Sequence, residues 1–238
     1  MFQTILFNPL FNALIFLYNT IAFEDLGIAI ILFTFLIRVI LFPLFYKSTK
    51  NQILIQRLQP ELNKIQHDHK DNKEKQAQAM MDLYRQHKIN PFSGFLLLLV
   101  QLPVLIAIYQ VFLRGFSPEL LDQLYGFVAK PMELHTSLLG LLDLQKPSIL
   151  MVSLAAIAQY LQGHLMLPKM EKGRSLSPAE KVTRQMVYFG PILTLMIFFK
   201  LPAAIVLYWL ITSVFSIVQQ VYINKTLNIE AEKKEHQF

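Results

Sequence analysis

Arg38 lies inside an otherwise apolar stretch, residues 26–46, within the run FTFLIRVILFPL. A charged side chain at the centre of a bilayer-spanning helix costs about 3 kcal/mol on insertion scales. No Asp or Glu occurs in the apolar stretches that could form neighbouring spans, so the usual ion-pair partner is missing. Arg38 lies 12 residues from Leu26 and 8 from Tyr46, about 18 and 12 Å along a helix. Its side chain could lean toward the nearer end of the apolar stretch, but this snorkelling would not bring the charge fully out of the hydrocarbon. We therefore predict a functional charge in a polar, solvated cavity.

Polar side chains in the other apolar stretches supply candidate walls for such a cavity. The predicted groove residues are Arg38, Thr34, Gln101, Gln159, Gln162, Tyr208, Trp209, Thr212 and Ser216, with Ser213, Gln219 and Gln220 beside the last four. Singly, polar residues in membrane helices are usually helix–helix contacts. Around an unpaired arginine they favour a wet interior surface.

The sequence offers little for catalysis. It has no cysteine, and therefore no thiol nucleophile or Cys-based metal site. The run HDH at 67–69 lacks a third ligand of suitable spacing, no HExxH motif occurs, and PFSGF at 91–95 lacks the strand–turn–helix setting of a serine elbow. Ser153 and His164 stand eleven residues apart without an orienting carboxylate nearby. We expect no enzyme, no cofactor and no metal site.

The composition places these residues in a membrane protein. Of 238 residues, 54% are hydrophobic and only 16% are charged, against about 25% charged in soluble domains. The apolar residues come in long blocks separated by short charged stretches, which is typical of a polytopic membrane protein. The formal net charge of +6 matters through the positions of its lysines and arginines, and we expect no recognition of nucleic acid sequence.

About 20 apolar residues span a bilayer as a helix, and by this measure the chain contains five spans. We predict an all-α integral membrane protein with transmembrane helices at residues 26–46, 92–113, 148–167, 185–199 and 203–223. The last two share an apolar run of 38 residues, too long for one helix, in which Lys200 and Pro202 mark the break. The fourth span is short, and we expect thinned membrane or neighbouring helices around it.

Lysine and arginine residues predict the orientation, because they concentrate in cytoplasmic loops. Residues 47–91 carry nine, 168–184 carry five and the tail 224–238 carries three. The opposite side, which includes the loop 114–147, carries four, and residues 1–25 carry none. This distribution predicts an external N-terminus and a cytoplasmic C-terminus.

Two segments outside the spans have helical patterns of their own. In residues 47–91, apolar residues recur at helical spacing on either side of the polar tip HDHKDNKEK, which predicts a cytoplasmic antiparallel helical hairpin. Residues 1–25 are apolar, with three asparagines near one face, Asn8, Asn12 and Asn19. This predicts an external interfacial amphipathic helix. The segment lacks a basic n-region and a small-residue cleavage site, so we expect it to be retained.

Together these motifs resemble the YidC/Oxa family of membrane protein insertases. The similarity rests on FTFLIRVILFPLFYKS in the first span, LYRQHKINPFSGFLLLLVQLPVLIAIYQVF leading into the second, and LPAAIVLYWLITSVFSIVQQVYINK in the fifth. It covers nearly the whole chain, in the same order of parts. The chain is similar to the compact five-span bacterial form, without the extra N-terminal span and large periplasmic domain of some members. NPFSGF stands where the family more often has an NPLGG-type sequence.

The resemblance implies a five-helix fold around a hydrophilic groove that is open to the cytoplasm and to lipid and closed toward the outside. Arg38 matches the family's groove arginine and Thr34 the position one turn before it. Tyr208 and Trp209 match the aromatic pair where substrate helices leave.

The implied function is that of a membrane protein insertase and chaperone in the bacterial plasma (inner) membrane, acting without a cofactor. Implied partners are nascent membrane proteins and the lipid bilayer. A Sec translocon, a ribosome and a signal-recognition targeting receptor are further candidates, although the short tail argues against a ribosome contact.

Two other functions fit parts of the pattern. A small-solute transporter or channel could use Arg38 as an anion site, and an intramembrane protease could use Ser153 and His164. Inverted repeats with broken helices would favour a transporter, and the two halves of the chain show no such symmetry.

Overall fold

The computed structural model describes residues 3–114, 117–167 and 178–235, and this part of the chain is mostly helical. After a π-helical turn at Gln3–Phe7, its elements follow in this order: α1 (Asn8–Thr20), α2 (Leu26–Ile40), α3 (Phe42–Arg57), α4 (Gln59–Asp68), α5 (Lys73–Gln86), α6 (Ser93–Arg114), α7 (Pro118–Leu121), β1 (Ser137–Leu138), β2 (Leu142–Asp143), α8 (Ile149–Leu165), α9 (Pro178–Phe198) and α10 (Ala203–Glu235). The two strands form a short antiparallel hairpin.

Helices α2, α6, α8, α9 and α10 form a bundle in which α8 packs against both α9 and α10, and α2 packs against α10. Within the described residues, Ser93–Phe112 and Ala203–Leu227 are long and apolar enough to cross a membrane, and α2 with α3 adds a third segment if the bent pair is one span. Ile149–Leu165 and Arg184–Phe198 are shorter apolar helices. The structure thus has two to three candidate spans by length and composition.

The predicted first span, residues 26–46, is not one continuous helix. It divides at Leu41 into α2 and α3, whose axes differ by 69°. Pro43 lies in the first turn of α3, where its missing N–H removes a hydrogen bond that would continue α2. The prediction missed the bend because it rested on apolar length, and the apolar stretch runs through Pro43 without interruption.

Residues 3–25, which include most of the predicted external interfacial helix, pack into the bundle. Phe7, Phe11 and Ile15 are at most 1% exposed and belong to the main apolar core, together with side chains of α2, α6, α8 and α10. The asparagine pattern resembled a water-facing stripe, because sequence alone does not distinguish a polar face that meets solvent from one that meets another part of the chain.

The asparagine face of α1 binds main-chain groups of the segment that follows α6. Asn12 is buried, and its Nδ2 donates to the Gln123 carbonyl (3.3 Å) while its Oδ1 accepts from the Tyr125 N–H (2.6 Å). Asn19 Nδ2 donates to the Ala129 carbonyl (2.7 Å). Main-chain groups near a core need such partners, because an unpaired buried N–H or C=O is costly.

Residues 117–147 form an ordered cap at one end of the bundle, which we call the loop end. Tyr18 Oη accepts from the His135 N–H (2.9 Å), and the Asp25 carboxylate accepts from the Leu139 N–H (2.5 Å). Carbonyl groups of the cap also accept from the first N–H groups of α10, which a helix leaves unpaired at its start. The cap and the apolar core below it close the loop end.

Helices α4 and α5 form an antiparallel hairpin at the opposite end of the bundle, which we call the hairpin end. A small apolar cluster of Leu58, Leu62, Leu83 and Ile89 packs the two arms together. In the predicted tip HDHKDNKEK, only the four residues HKDN lie outside a helix. The hairpin arms therefore extend further than the polar sequence suggested.

Two helices extend beyond the apolar stretches used to predict them. Helix α9 begins at Pro178 rather than at residue 185, and α10 continues through most of the predicted tail 224–238, to Glu235. Hydropathy marks where apolar sequence stops, whereas a helix continues while its residues favour helix, as in NIEAEKKE. Of the predicted loop 168–184, residues 168–177 lie outside the described part of the chain.

Candidate functional site

Arg38 occupies the last turn of α2 and is only 3% exposed. Its Nη2 donates to the Thr212 carbonyl of α10 at 2.8 Å, and its Nη1 donates to Gln219 Oε1 at 3.4 Å. The bend after α2 places the Phe45 ring centroid 4.1 Å from the guanidinium carbon, a cation–π contact. No carboxylate of the described residues pairs with Arg38. Neutral acceptors and an aromatic ring therefore hold this charge.

Arg38 forms part of the wall of a cavity of about 600 Å³ in the hairpin-end half of the bundle. Seven of the nine predicted groove residues line this cavity, namely Arg38, Gln101, Gln159, Gln162, Trp209, Thr212 and Ser216. They come from four helices, α2, α6, α8 and α10. Among the described residues that line the cavity, Arg38 is the one charged side chain. The structure thus forms a cavity in which glutamines and apolar side chains surround a single positive charge.

Two predicted groove residues, Thr34 and Tyr208, do not line the cavity. Thr34 is 1% exposed, and its hydroxyl donates to the Ile30 carbonyl within α2 (2.7 Å). Tyr208 is equally buried, and Gln101 Nε2 donates to its hydroxyl oxygen from the cavity wall. Consecutive helical residues point about 100° apart, so Tyr208 packs in the core while Trp209 lines the cavity. The aromatic pair is therefore divided between two environments.

Close packing of α8 against α9 forms another wall. A Cβ atom on Gly190 would lie 3.3 Å from Gln159 Nε2, and one on Gly163 would lie 3.3 Å from a Val187 methyl group. The Thr194 hydroxyl hydrogen-bonds Gln159 Oε1 across the same interface. The two glycines therefore bring the helices close enough for α9 to orient the Gln159 amide at the cavity.

Three glutamines that line the cavity were not among the predicted groove residues: Gln52 and Gln56 of α3, and Gln59 at the start of α4. The sequence places them in the predicted cytoplasmic helical hairpin, because apolar length ends the first span at residue 46. They are spaced four and three residues apart, which places them on one face of a helix. The sequence therefore contained a pattern that could have identified them. The 69° bend is what directs this stripe into the cavity.

The catalytic alternatives find no support in the described geometry. Ser153 and His164 lie eleven residues apart on one helix, about 16 Å along its axis, which is too far for a nucleophile–base hydrogen bond. His164 instead stacks on Tyr160, with ring centroids 5.8 Å apart. The described residues contain no group of three or more His, Cys, Asp or Glu side chains that could hold a metal ion.

Apolar helices around a polar cavity with one buried arginine define a helical membrane protein with a hydrophilic interior site. Residues 16–232 match the family model described as 60Kd inner membrane protein, and the chain belongs to this family. The predicted resemblance to the YidC/Oxa insertases is thereby confirmed.

Curated relatives agree with this assignment. The chain is 34% identical over 230 residues to the membrane protein insertase YidC of Rickettsia bellii, covering 93% of this chain and 39% of that protein. It is 33% identical over 229 residues to the protein of the same name from Pelobacter propionicus, covering 94% of this chain and 39% of the relative. The chain therefore spans about two fifths of the length of these relatives.

A solved structure shows the same fold. The crystal structure of an active YidC insertase with its first transmembrane domain resolved superposes with a TM-score of 0.60 and 24% sequence identity. The match covers 91% of this chain and 45% of that chain. At this identity the likeness concerns the fold.

Proposed function

We propose that this chain is a membrane protein insertase. Its cavity receives a short hydrophilic segment of a nascent membrane protein from the hairpin end, and the adjoining apolar helix moves into lipid past Trp209. The observation that carries this proposal is Arg38, a buried charge with no carboxylate partner in the described chain, inside a polar cavity that ends below a packed apolar core. The names of the curated relatives support the same function.

The proposal includes five membrane spans, with the N-terminus outside and the C-terminus in the cytoplasm of a bacterial cell, in its plasma membrane. Helix α2 and the first turns of α3 form the first span, and α6, α8, α9 and α10 form the others. The clustering of lysine and arginine in residues 47–91 supports a cytoplasmic hairpin end. The cavity then opens toward the side on which new chains are made.

Simple electrostatics and burial supply the driving force. Arg38 attracts an acidic segment more strongly here than it would in water, because a membrane interior screens charges poorly. Moving one negative charge to a positive exterior contributes about 2.3 kcal/mol per 100 mV of membrane potential. Transfer of the apolar helix into lipid contributes about 25 cal/mol per Å² of apolar surface. Together these contributions make a bound nucleotide unnecessary.

Substrates in this proposal are nascent membrane proteins, and lipid is the medium that receives them. A Sec translocon, a ribosome and a targeting receptor are the candidate partners on the cytoplasmic side. Co-purification with the full chain and with a variant lacking the α4–α5 hairpin tests each of them.

The function is tested in liposomes that contain the purified protein with its hairpin end facing the medium and that carry a lumen-positive potential. Two single-span test proteins differ only in their translocated tails, one acidic and one neutral. We expect Arg38→Ala to lower insertion of the acidic-tailed protein by about tenfold, which corresponds to about 1.4 kcal/mol, and to affect the neutral-tailed protein much less. Arg38→Lys keeps most of the activity, because it keeps the charge.

Lys146→Ala is the control for loss of a positive charge, since the Lys146 side chain is 79% exposed in the loop-end cap, away from the cavity. It should insert both proteins like the wild type. If the Arg38→Ala variant, at equal protein level, inserted the acidic-tailed and the neutral-tailed proteins equally well, this result would contradict the electrostatic role of Arg38. If the purified wild-type protein inserted neither test protein but allowed anions to cross the liposome membrane, the result would favour the transporter function instead.

A further inference from the structure

Glutamine dominates the polar part of the cavity wall. Six of the lining residues are glutamines, and three of these, Gln52, Gln56 and Gln59, form a row along α3 and the start of α4. We call this row the glutamine wall. All three side chains are half-buried, so they border the cavity without being sealed in the core. The wall is uncharged, and therefore differs in chemistry from Arg38.

The amide groups of the glutamine wall are already oriented by neighbours. Gln56 Nε2 donates to the Met166 carbonyl at the end of α8, and because a carbonyl only accepts, this bond defines which end of the amide is which. Gln52 Nε2 donates to Ser48 Oγ (3.4 Å), and Gln59 Nε2 donates to Asn63 Oδ1 (3.0 Å). With one N–H of each amide nitrogen engaged, the wall offers three amide oxygens, which accept no hydrogen bond from the described residues.

A row of acceptors suits the main-chain N–H groups of an extended polypeptide. Gln52 and Gln56 are four residues apart, about 6 Å along the helix axis. An extended chain presents its N–H groups on one side every second residue, about 6.6 Å apart. A helical segment is a poor match, because beyond its first turn its N–H groups are bonded internally. A cavity of about 600 Å³ has the size that usually holds a drug-sized ligand, comparable to a short peptide.

We propose that the glutamine wall binds the main-chain N–H groups of the hydrophilic segment while that segment is extended. This inference rests on the proposed insertase function and specifies the substrate feature that the cavity recognises. Main-chain groups are common to all residues, so recognition is independent of side-chain sequence. Hydrogen bonds between neutral groups are weaker than charge-assisted ones, so the segment is held without being trapped. Proline is the exception, since it has no N–H.

The test compares two neutral tails of equal length in the liposome assay. One contains alanine and serine, and the other has proline at every second position. We expect the wild type to insert the proline tail about fivefold more slowly, because several main-chain hydrogen bonds are lost. In the double variant Gln52→Met and Gln59→Met this difference disappears. Gln56 stays unchanged in both, so its bond to Met166 continues to join α3 to α8.

Two further variants separate a specific role from a structural one. Gln52→Glu with Gln59→Glu keeps acceptor oxygens at the same reach, and should keep the difference between the tails. Gln145→Met, exposed in the loop-end cap and away from the cavity, should behave as the wild type. Equal insertion of both tails by the wild type, or a difference that persists in the double methionine variant, overturns the inference while the insertase function stands. Failure to insert either tail overturns the proposed function itself.

Discussion

Asn12 and Arg38 are both buried polar side chains, and their partners indicate different roles. Asn12 uses its amide fully, with two carbonyl acceptors and one N–H donor around it. Arg38 donates two hydrogen bonds, one to a carbonyl and one to an amide oxygen, although a guanidinium has five N–H donors, and it lines a cavity. We interpret Asn12 as a structural anchor for the loop end and Arg38 as the functional charge.

Replacing Asn12 should loosen the cap without changing the cavity. Asn12→Leu leaves the Tyr125 N–H and the Gln123 carbonyl buried without their partner, which costs about 1–3 kcal/mol. Thermal unfolding in detergent should show this loss, and hydrogen exchange should increase in residues 117–147. Asn19→Leu is the control, because its single bond to Ala129 is solvent-accessible. Equal destabilisation by both variants would contradict the anchoring role.

Residue types alone selected seven of the residues that line the cavity. An arginine in apolar sequence requires polar surroundings, so Gln101, Gln159, Gln162 and Thr212 could be selected by type and span. Thr34 and Tyr208 do not line the cavity, because sequence shows that a residue is in a helix but not which neighbour its side chain faces. Only the packing of α10 against α2 and α8 determines that.

At the scale of elements, the α2–α3 bend matters most for the site. It brings Phe45 over Arg38 and directs the glutamine wall into the cavity. The five apolar stretches were evident from hydropathy, whereas the bend, the helical extensions of α9 and α10 and the buried α1 were not. Each of these depends on contacts between distant segments, which a window of neighbouring residues does not contain.

Pro43→Ala should open the bend by restoring the missing hydrogen-bond donor. Spin labels on cysteines at the exposed positions Phe35 and Lys47 would report it by dipolar EPR, and the chain has no native cysteine to interfere. Their Cα separation should increase toward the roughly 18 Å of a straight helix. Pro103→Ala is the control, since α6 continues through Pro103. An unchanged separation would mean that packing, not Pro43, maintains the bend.

The α4–α5 hairpin is the element we interpret as a receiving platform for incoming chains. Residues 47–91 carry nine basic and five acidic side chains, and the hairpin adjoins the glutamine wall through Gln59. Replacing residues 64–79 by a short flexible linker should leave the bundle folded and reduce insertion. Replacing only the HKDN turn should have little effect. Wild-type insertion by the larger deletion, at equal protein level, would instead indicate an inert connector.

At the scale of the whole molecule, the two ends of the bundle have opposite characters. The loop end is packed with apolar side chains below an ordered cap, and the hairpin end contains the polar cavity. In the proposed function, a hydrophilic segment that enters at the hairpin end therefore meets a shortened apolar barrier. The surrounding helices expose apolar side chains such as Leu154, Ile157 and Val218, which suits contact with lipid.

The most direct test of the central claim is site-specific photo-crosslinking during insertion. A crosslinker at Ser216, in the cavity wall, is compared with one at Val218, which is 63% exposed on the same helix. We predict that the hydrophilic tail of a stalled substrate is captured at Ser216 and not at Val218. Capture of the tail at Val218 with none at Ser216 would contradict the claim that the hydrophilic segment passes through the Arg38 cavity.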